Sequence, residues 1–153
     1  MPNTIKLFLL SIFFSSLSWG ACTVTPPQVT IGQYDPITSI NGVRALFFMQ
    51  IFCSEATGFT VKAGPSQTSG SIQHRQLIGE DPSSLLQYQL CLDPNWGGPC
   101  NQVFGIPPDG DAAVGNIPHA GGSALVNFWS IVFGNQPAKP GWHNDYVQII
   151  IEP

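Results

Sequence analysis

Between residues 43 and 53 every odd position is apolar (Val43, Ala45, Phe47, Met49, Ile51, Cys53), whereas the even positions include Arg44 and Gln50. Successive side chains of a strand point to opposite faces, so this pattern predicts a strand with one buried face and with Cys53 turned inward. The period returns over residues 58–63, where Phe59, Val61 and Ala63 oppose Thr60 and Lys62, and the intervening SEATG reads as a turn. In SSLLQYQLCLDP the apolar face is Leu86, Tyr88, Leu90 and Leu92, which leaves Gln87, Gln89 and Cys91 on the other side and predicts an outward Cys91. Residues 23–34 contain Pro26 and Pro27 and read as a bent or broken edge strand, because proline cannot donate to a ladder. A more polar strand is expected over 71–78. Residues 124–133 (ALVNFWSIVF) are apolar on both faces, as a central strand of a sandwich is. Residues 146–152 alternate and are rich in β-branched residues, which predicts a final, buried strand at the end of the sequence.

No 3.6-residue apolar stripe occurs beyond the first twenty residues, so some seven short strands joined by Gly/Pro-rich turns argue for an all-β sandwich. The stretch 101–122, NQVFGIPPDGDAAVGNIPHAGG, is expected to be a loop of unusual length for a compact domain.

Lys6 followed by LFLLSIFF and then by small residues has the layout of a secretory signal peptide over residues 1–20, with cleavage after Gly20 or Ala21. Its apolar run of about eight residues is too short for a span of roughly 20, and no later segment offers a membrane anchor. Residues 21–153 then make one domain of about 130 residues. Export places Cys22, Cys53, Cys91 and Cys100 in an oxidising compartment, where an even count implies two disulfides. Three pairings exist. An outward Cys91 pairs most easily with Cys100, across the PNWGGP turn, and that leaves Cys22 with Cys53. The loop-entropy relation assigns about 4 kcal/mol to the long bridge and about 3 to the short one.

Beyond the leader the bases are Arg44, Lys62, Arg75 and Lys139, against nine acids. Such a sparse, mildly acidic surface excludes a nucleic-acid footprint. His74 (in a predicted strand), His119 and His143 are not spaced as ligands on one element, and the cysteines are better used as disulfides, so neither metal nor cofactor is expected. No serine or free cysteine has a nucleophile's setting, so no enzyme is expected. GWHND suggests a His–Asp relay, but a Pro-Gly turn leading into a strand explains it more simply. Trp96 and Trp142 flank turns and are candidates for a sugar-stacking platform, whereas Trp129 reads as core. WGAC at 19–22 is a poor lipobox, with tryptophan where an aliphatic residue belongs.

IGQYDP at 31–36, Cys53 closing the second strand, Arg75 and Leu77 ahead of LLQYQLCLD, the NWGG turn and PGWHNDYVQIII at 140–151 together resemble the spore coat protein U domain family. The likeness runs across essentially the whole mature chain with the motifs in order. The Cys91/Cys100 pair and the long Gly/Pro loop look like local elaborations on it. That family includes subunits of archaic chaperone–usher pili. The resemblance implies an incomplete immunoglobulin-like β-sandwich that lacks its last strand, completed first by a periplasmic chaperone and then by a neighbouring subunit. It implies partners: the chaperone, an usher and other pilus subunits. It also implies passage through the periplasm to the cell surface.

In this reading Val147, Ile149 and Ile151 form one wall of the groove for a donor strand, and Val29 and Ile31 form the other. A strand burying four or five apolar side chains there gains on the order of 10 kcal/mol gross, from which the ordering of the donor subtracts a large part. Pilus-shaft subunits carry a dozen or more residues before the first cysteine, whereas here at most Ala21 precedes Cys22. The expectation is therefore a subunit that accepts a strand without donating one, at a fibre tip, as a terminator or outside polymerisation. Trp96, Val103, Phe104, Ile106 and Pro107, with Pro108, are candidates for an apolar tip contact; the alternative is that they fold back and plug the sandwich. Two rival functions remain. One is a self-contained extracellular or spore-coat-like domain that closes its own edge with residues 123–134. The other is a carbohydrate-binding module built on Trp96 and Trp142.

Overall fold

The computed structural model describes residues 21–25, 33–95 and 98–153. The leader, residues 26–32 with Val29 and Ile31, and Trp96 with Gly97 lie outside the described residues. Ten strands run in order: β1 (Cys22–Thr25), β2 (Val43–Cys53), β3 (Thr57–Ser66), β4 (Arg75–Gly79), β5 (Leu85–Asp93), β6 (Gln102–Val103), β7 (Ala113–Ile117), β8 (Ser123–Val132), β9 (His143–Asn144) and β10 (Val147–Glu152). They form two sheets. The larger has the order β1-β2-β8-β5-β4-β9, with β6 beside β5, and the smaller is β10-β3-β7. Every pairing between named strands is antiparallel. No helix occurs among the described residues, and the two sheets pack as an immunoglobulin-like sandwich.

The alternation read in β2 holds: Met49, Ile51 and Cys53 are buried and the even positions are exposed. β8 lies between β2 and β5, pairing with β2 from Val43↔Val132 to Phe52↔Ser123; it is buried on both faces only over Ser130, Ile131 and Val132, whereas Leu125 and Asn127 on its outer face are exposed. This central place also removes β8 as a strand that closes the β10 margin. The core is filled from both layers by Met49, Ile51, Phe59, Val61, Leu86, Tyr88, Phe104, Ile117 and Phe128.

Three expectations need correction. The stretch 101–122 is not one loop, because it holds β6 and β7. β7 reads AVGNI and carries little strand signal, but it is held by pairing with β3 and by the buried Ile117. Its Gly115 faces Phe59, whose ring tip stands where a Cβ would be, so the missing side chain is the space the ring occupies. His74 lies in the turn before β4, not in a strand, since β4 begins only at Arg75. Cys91 occupies the outer face of β5 as its parity requires, but it is 0% exposed. The Cys91–Cys100 loop covers that side: the Cys100 N–H donates to Gln89 Oε1 (2.9 Å) and Gln89 Nε2 donates to the Gln73 carbonyl (3.2 Å).

Both disulfides join the expected partners, Cys22–Cys53 and Cys91–Cys100. Cys22 and Cys53 are opposite one another in the β1–β2 register, so the first bridge fastens the marginal strand β1 to the end of β2.

Candidate functional site: the open margin of the terminal strand

Among the described residues β10 pairs with β3 alone, so one of its margins carries a row of backbone N–H and C=O groups with no ladder partner there. Its register fixes which side chains face the core. Ile151 lies opposite Val61, Ile149 opposite Ala63 and Val147 opposite Ser66, three buried positions, whereas Ile150 lies opposite Lys62. Val147, Ile149 and Ile151 pack against the core yet stay only partly buried. Among the described residues this inward apolar row is thus only half-covered.

The facing wall shows the same gradient. Along the inner row of β2, Met49, Ile51 and Cys53 are buried, but Val43, Ala45 and Phe47 are only partly so. β1 pairs with β2 from Gln50 to Cys53, and Cα atoms of β1 and β10 come within 8 Å of one another. The two sheets therefore approach at this end and leave apolar positions open toward the other. Of the five residues expected to line the groove, the structure brings together Val147, Ile149 and Ile151, while Val29 and Ile31 fall outside the described residues.

The start of β10 is anchored by polar groups that sequence reasoning did not single out. Asp145 Oδ1 accepts from the Thr68 N–H (3.1 Å) and Thr68 Oγ1 (3.0 Å), and Oδ2 accepts from the Tyr88 hydroxyl (2.6 Å). The Gln67 N–H donates to the Tyr146 carbonyl (3.0 Å). Beyond this point Val147 and Ile149 lie opposite Ser66 and Ala63, so β3 carries one extra residue, at the Gly64–Pro65 step where proline has no N–H to offer. Burial pushes the Tyr88 phenol far above its ordinary range, with the hydrogen bond to Asp145 and that carboxylate's charge adding to the effect. The hydroxyl therefore remains a donor.

Arg75 lies next to this anchor and is 0% exposed. Its Nη1 donates to the Ile72 carbonyl (2.9 Å), and its Nη2 donates to the carbonyls of Gly64 (2.8 Å), Phe104 (2.9 Å) and Ala63 (3.2 Å). One guanidinium thus ties the β3 bulge, the turn before β4 and the loop after β6. Burial lowers its pKa, opposed by the charges of Tyr88 and Asp145. A signal for this role was present in the sequence, an arginine placed on the apolar parity of a strand beside Leu77.

The remaining candidates are placed as follows. Phe104 is 0% exposed within the core, its ring tilted against that of Phe128 at 5.6 Å, whereas Val103, opposite Cys91, is buried on the outer side of β5. Ile106 is partly buried and Pro107 exposed. The His–Asp relay does not form, because Asp145 is committed to Thr68 and Tyr88. His143 Nδ1 lies 3.1 Å from the Gly141 carbonyl, an acceptor, and Nε2 lies 2.9 Å from Ser84 Oγ. Trp142 is half exposed. No cluster of three or more metal-ligating side chains occurs among the described residues.

The fold is similar to a chain in the chaperone–tip adhesion subunit pre-assembly complex CsuC–CsuE, from the archaic chaperone-usher Csu pili of Acinetobacter baumannii. The identity is 16% and the TM-score 0.60, over 88% of this chain and 40% of that one. A chain from a chaperone–tip adhesin complex of CFA/I fimbriae is similar at 12% identity and a TM-score of 0.45, over 86% of this chain and 42% of that one. The protein thus spans about two fifths of the length of these chains. No curated protein matches it. The Spore Coat Protein U domain matches residues 9–150, nearly the whole sequence, and the chain belongs to that family.

Proposed function

We propose that this protein is an exported, non-enzymatic, pilin-like subunit whose sandwich is completed by a β-strand from another chain. The observation that carries this reading is β10 itself: its inward row Val147, Ile149 and Ile151 is half-covered, and its far margin has no partner among the described residues. A strand laid there satisfies the backbone groups along the margin and buries alternate side chains against that row, the usual chemistry of strand addition. Val29 and Ile31 are the proposed opposite wall. Membership of the family and the likeness to a chain in a chaperone–subunit complex support a periplasmic chaperone, an usher and further subunits as partners, with a final place at the cell surface.

The two faces of β10 make the test. An extended peptide of about a dozen residues with apolar side chains at alternate positions is titrated onto the purified protein. Ile149→Glu puts a carboxylate into the groove and is expected to weaken binding at least about 100-fold, roughly 3 kcal/mol. Ile150→Glu, on the outer face opposite Lys62, is expected to stay within about threefold of wild type. Equal effects of the two substitutions, or a stable monomer that ignores the peptide, would sink the reading in favour of a self-contained domain.

A further inference from the structure

The outer face of the large sheet is covered on one side and bare on the other. Over β5 the chain supplies its own roof, and Gln89, Cys91 and the neighbouring Ile131 are buried beneath it. Over β2 and the first half of β8 the same face carries Leu46 (39% exposed), Phe48 (54%), Phe52 (43%) and Leu125 (65%). The register makes these neighbours: Gln50 lies opposite Leu125, with Phe48 and Phe52 one outward position to either side along β2. This face is distinct from the groove, which opens between the sheets.

We propose that this bare face is a contact with a second copy of the chain, packed sheet on sheet with the two β2 strands antiparallel. The size fits. With about half of each ring or branched side chain free, the four residues offer roughly 400 Å². That is the apolar share of one side of a standard interface, in which each partner contributes about 800 Å² and rather more than half is non-polar.

The charges fit as well. Arg44 lies at one end of the strip, one outward position before Leu46, and Glu55 lies in the turn just past Phe52 at the other; both are exposed. A two-fold axis lying between the sheets, perpendicular to β2 at the level between Met49 and Gln50, brings each Arg44 to the end of the strip where the other copy's β2–β3 turn, with Glu55, begins. The outward side chains occupy even positions and the axis falls between residues. Phe48 of one copy therefore enters the gap between Gln50 and Phe52 of the other, and Leu125 enters the gap beside the other copy's Leu125. Facing sheets interdigitate in this manner at a separation of about 10 Å. In the opposite arrangement, with the strands parallel, Arg44 would meet Arg44.

The test is sedimentation of the purified full chain across a concentration series up to about 100 µM, both alone and with the peptide that fills the groove, so that the outcome does not depend on strand addition. A dimer is expected that Phe48→Glu and Leu125→Glu each weaken by at least about tenfold while the peptide affinity and melting temperature are kept. Arg44→Glu and Glu55→Arg are each expected to weaken it, and the double exchange to restore it to within about threefold, which general damage to the fold would not do. A strict monomer overturns the proposal, as does a dimer indifferent to Phe48→Glu and Leu125→Glu or a double exchange that restores nothing. A monomer that binds phosphatidylcholine vesicles through Phe48 assigns the face to a membrane instead and overturns it equally.

Discussion

The largest fully buried side chain among the described residues is a charged one. Arg75 is buried with no ion pair to a carboxylate among the described residues, and its guanidinium donates to four carbonyl oxygens. Each carbonyl left facing apolar surroundings costs about 1–3 kcal/mol, so Arg75→Met is expected to lose about 3–5 kcal/mol of unfolding free energy in urea titrations despite its apolar side chain. A loss under 1 kcal/mol would show that water replaces the guanidinium. Tyr88 makes a second residue-scale prediction. Its folded pKa is raised well above the unfolded value of 10.0, so above that pH the unfolded state releases a proton that the folded state keeps. Stability contributed by Tyr88 is therefore complete below about pH 10 and falls as pH rises beyond it. Tyr88→Phe is expected to cost about 1.5–3 kcal/mol at neutral pH, because Asp145 Oδ2 loses its donor, and to flatten the alkaline decline relative to wild type. Periodicity marks Arg75 as a charge on an apolar face but not its acceptors, and it places Tyr88 in the core but says nothing of where its hydroxyl finds a partner. Asp145 was visible only as part of a histidine relay that the fold does not build.

Elements were legible in proportion to how much of their own burial they carry. β2, β5, β8 and β10 are long enough for the two-residue period to repeat several times, and their parities led to both disulfide pairings. β6, β7 and β9 have two to five residues and owe their conformation to neighbours, so the same arithmetic read them as loop or turn. β7 sharpens the contrast, since Gly115 is a poor strand former in isolation and yet is required where Phe59 packs across it. Gly115→Val raises strand propensity but is expected to destabilise by about 1–3 kcal/mol, measured as the shift in urea midpoint, because the buried Phe59 ring has to leave its site. Pairing it with Phe59→Leu is expected to return part of the loss. A stabilised single variant would show that propensity outweighs the contact. The outer side of β2 was legible only in part. Arg44 and Gln50 give this face a polar look although Leu46, Phe48 and Phe52 share it, and no alternation rule says whether such residues meet solvent, a roof or another molecule.

At the scale of the whole molecule, the proposed groove would make stability a property of the chain together with a donor strand. A peptide that binds only the folded state adds RT ln(1 + [L]/Kd), about 2.7 kcal/mol at a hundredfold excess over Kd and about 1.4 more for each further tenfold. For a domain of this size that amounts to a rise in melting temperature of roughly 10 °C at the first of these concentrations. The rise should continue logarithmically, without the plateau at one equivalent that a covalent clip would give. A scrambled peptide of the same composition with the alternation destroyed is expected to do nothing, because a one-residue slip turns its apolar side chains away from Val147, Ile149 and Ile151 and toward solvent. The free protein, with its margin bare, should lose solubility as it is concentrated and regain it with the alternating peptide. A melting temperature indifferent to both peptides would mean that the partly buried row on β10 is already as covered as the fold requires, and the case for a partner strand would fall with it.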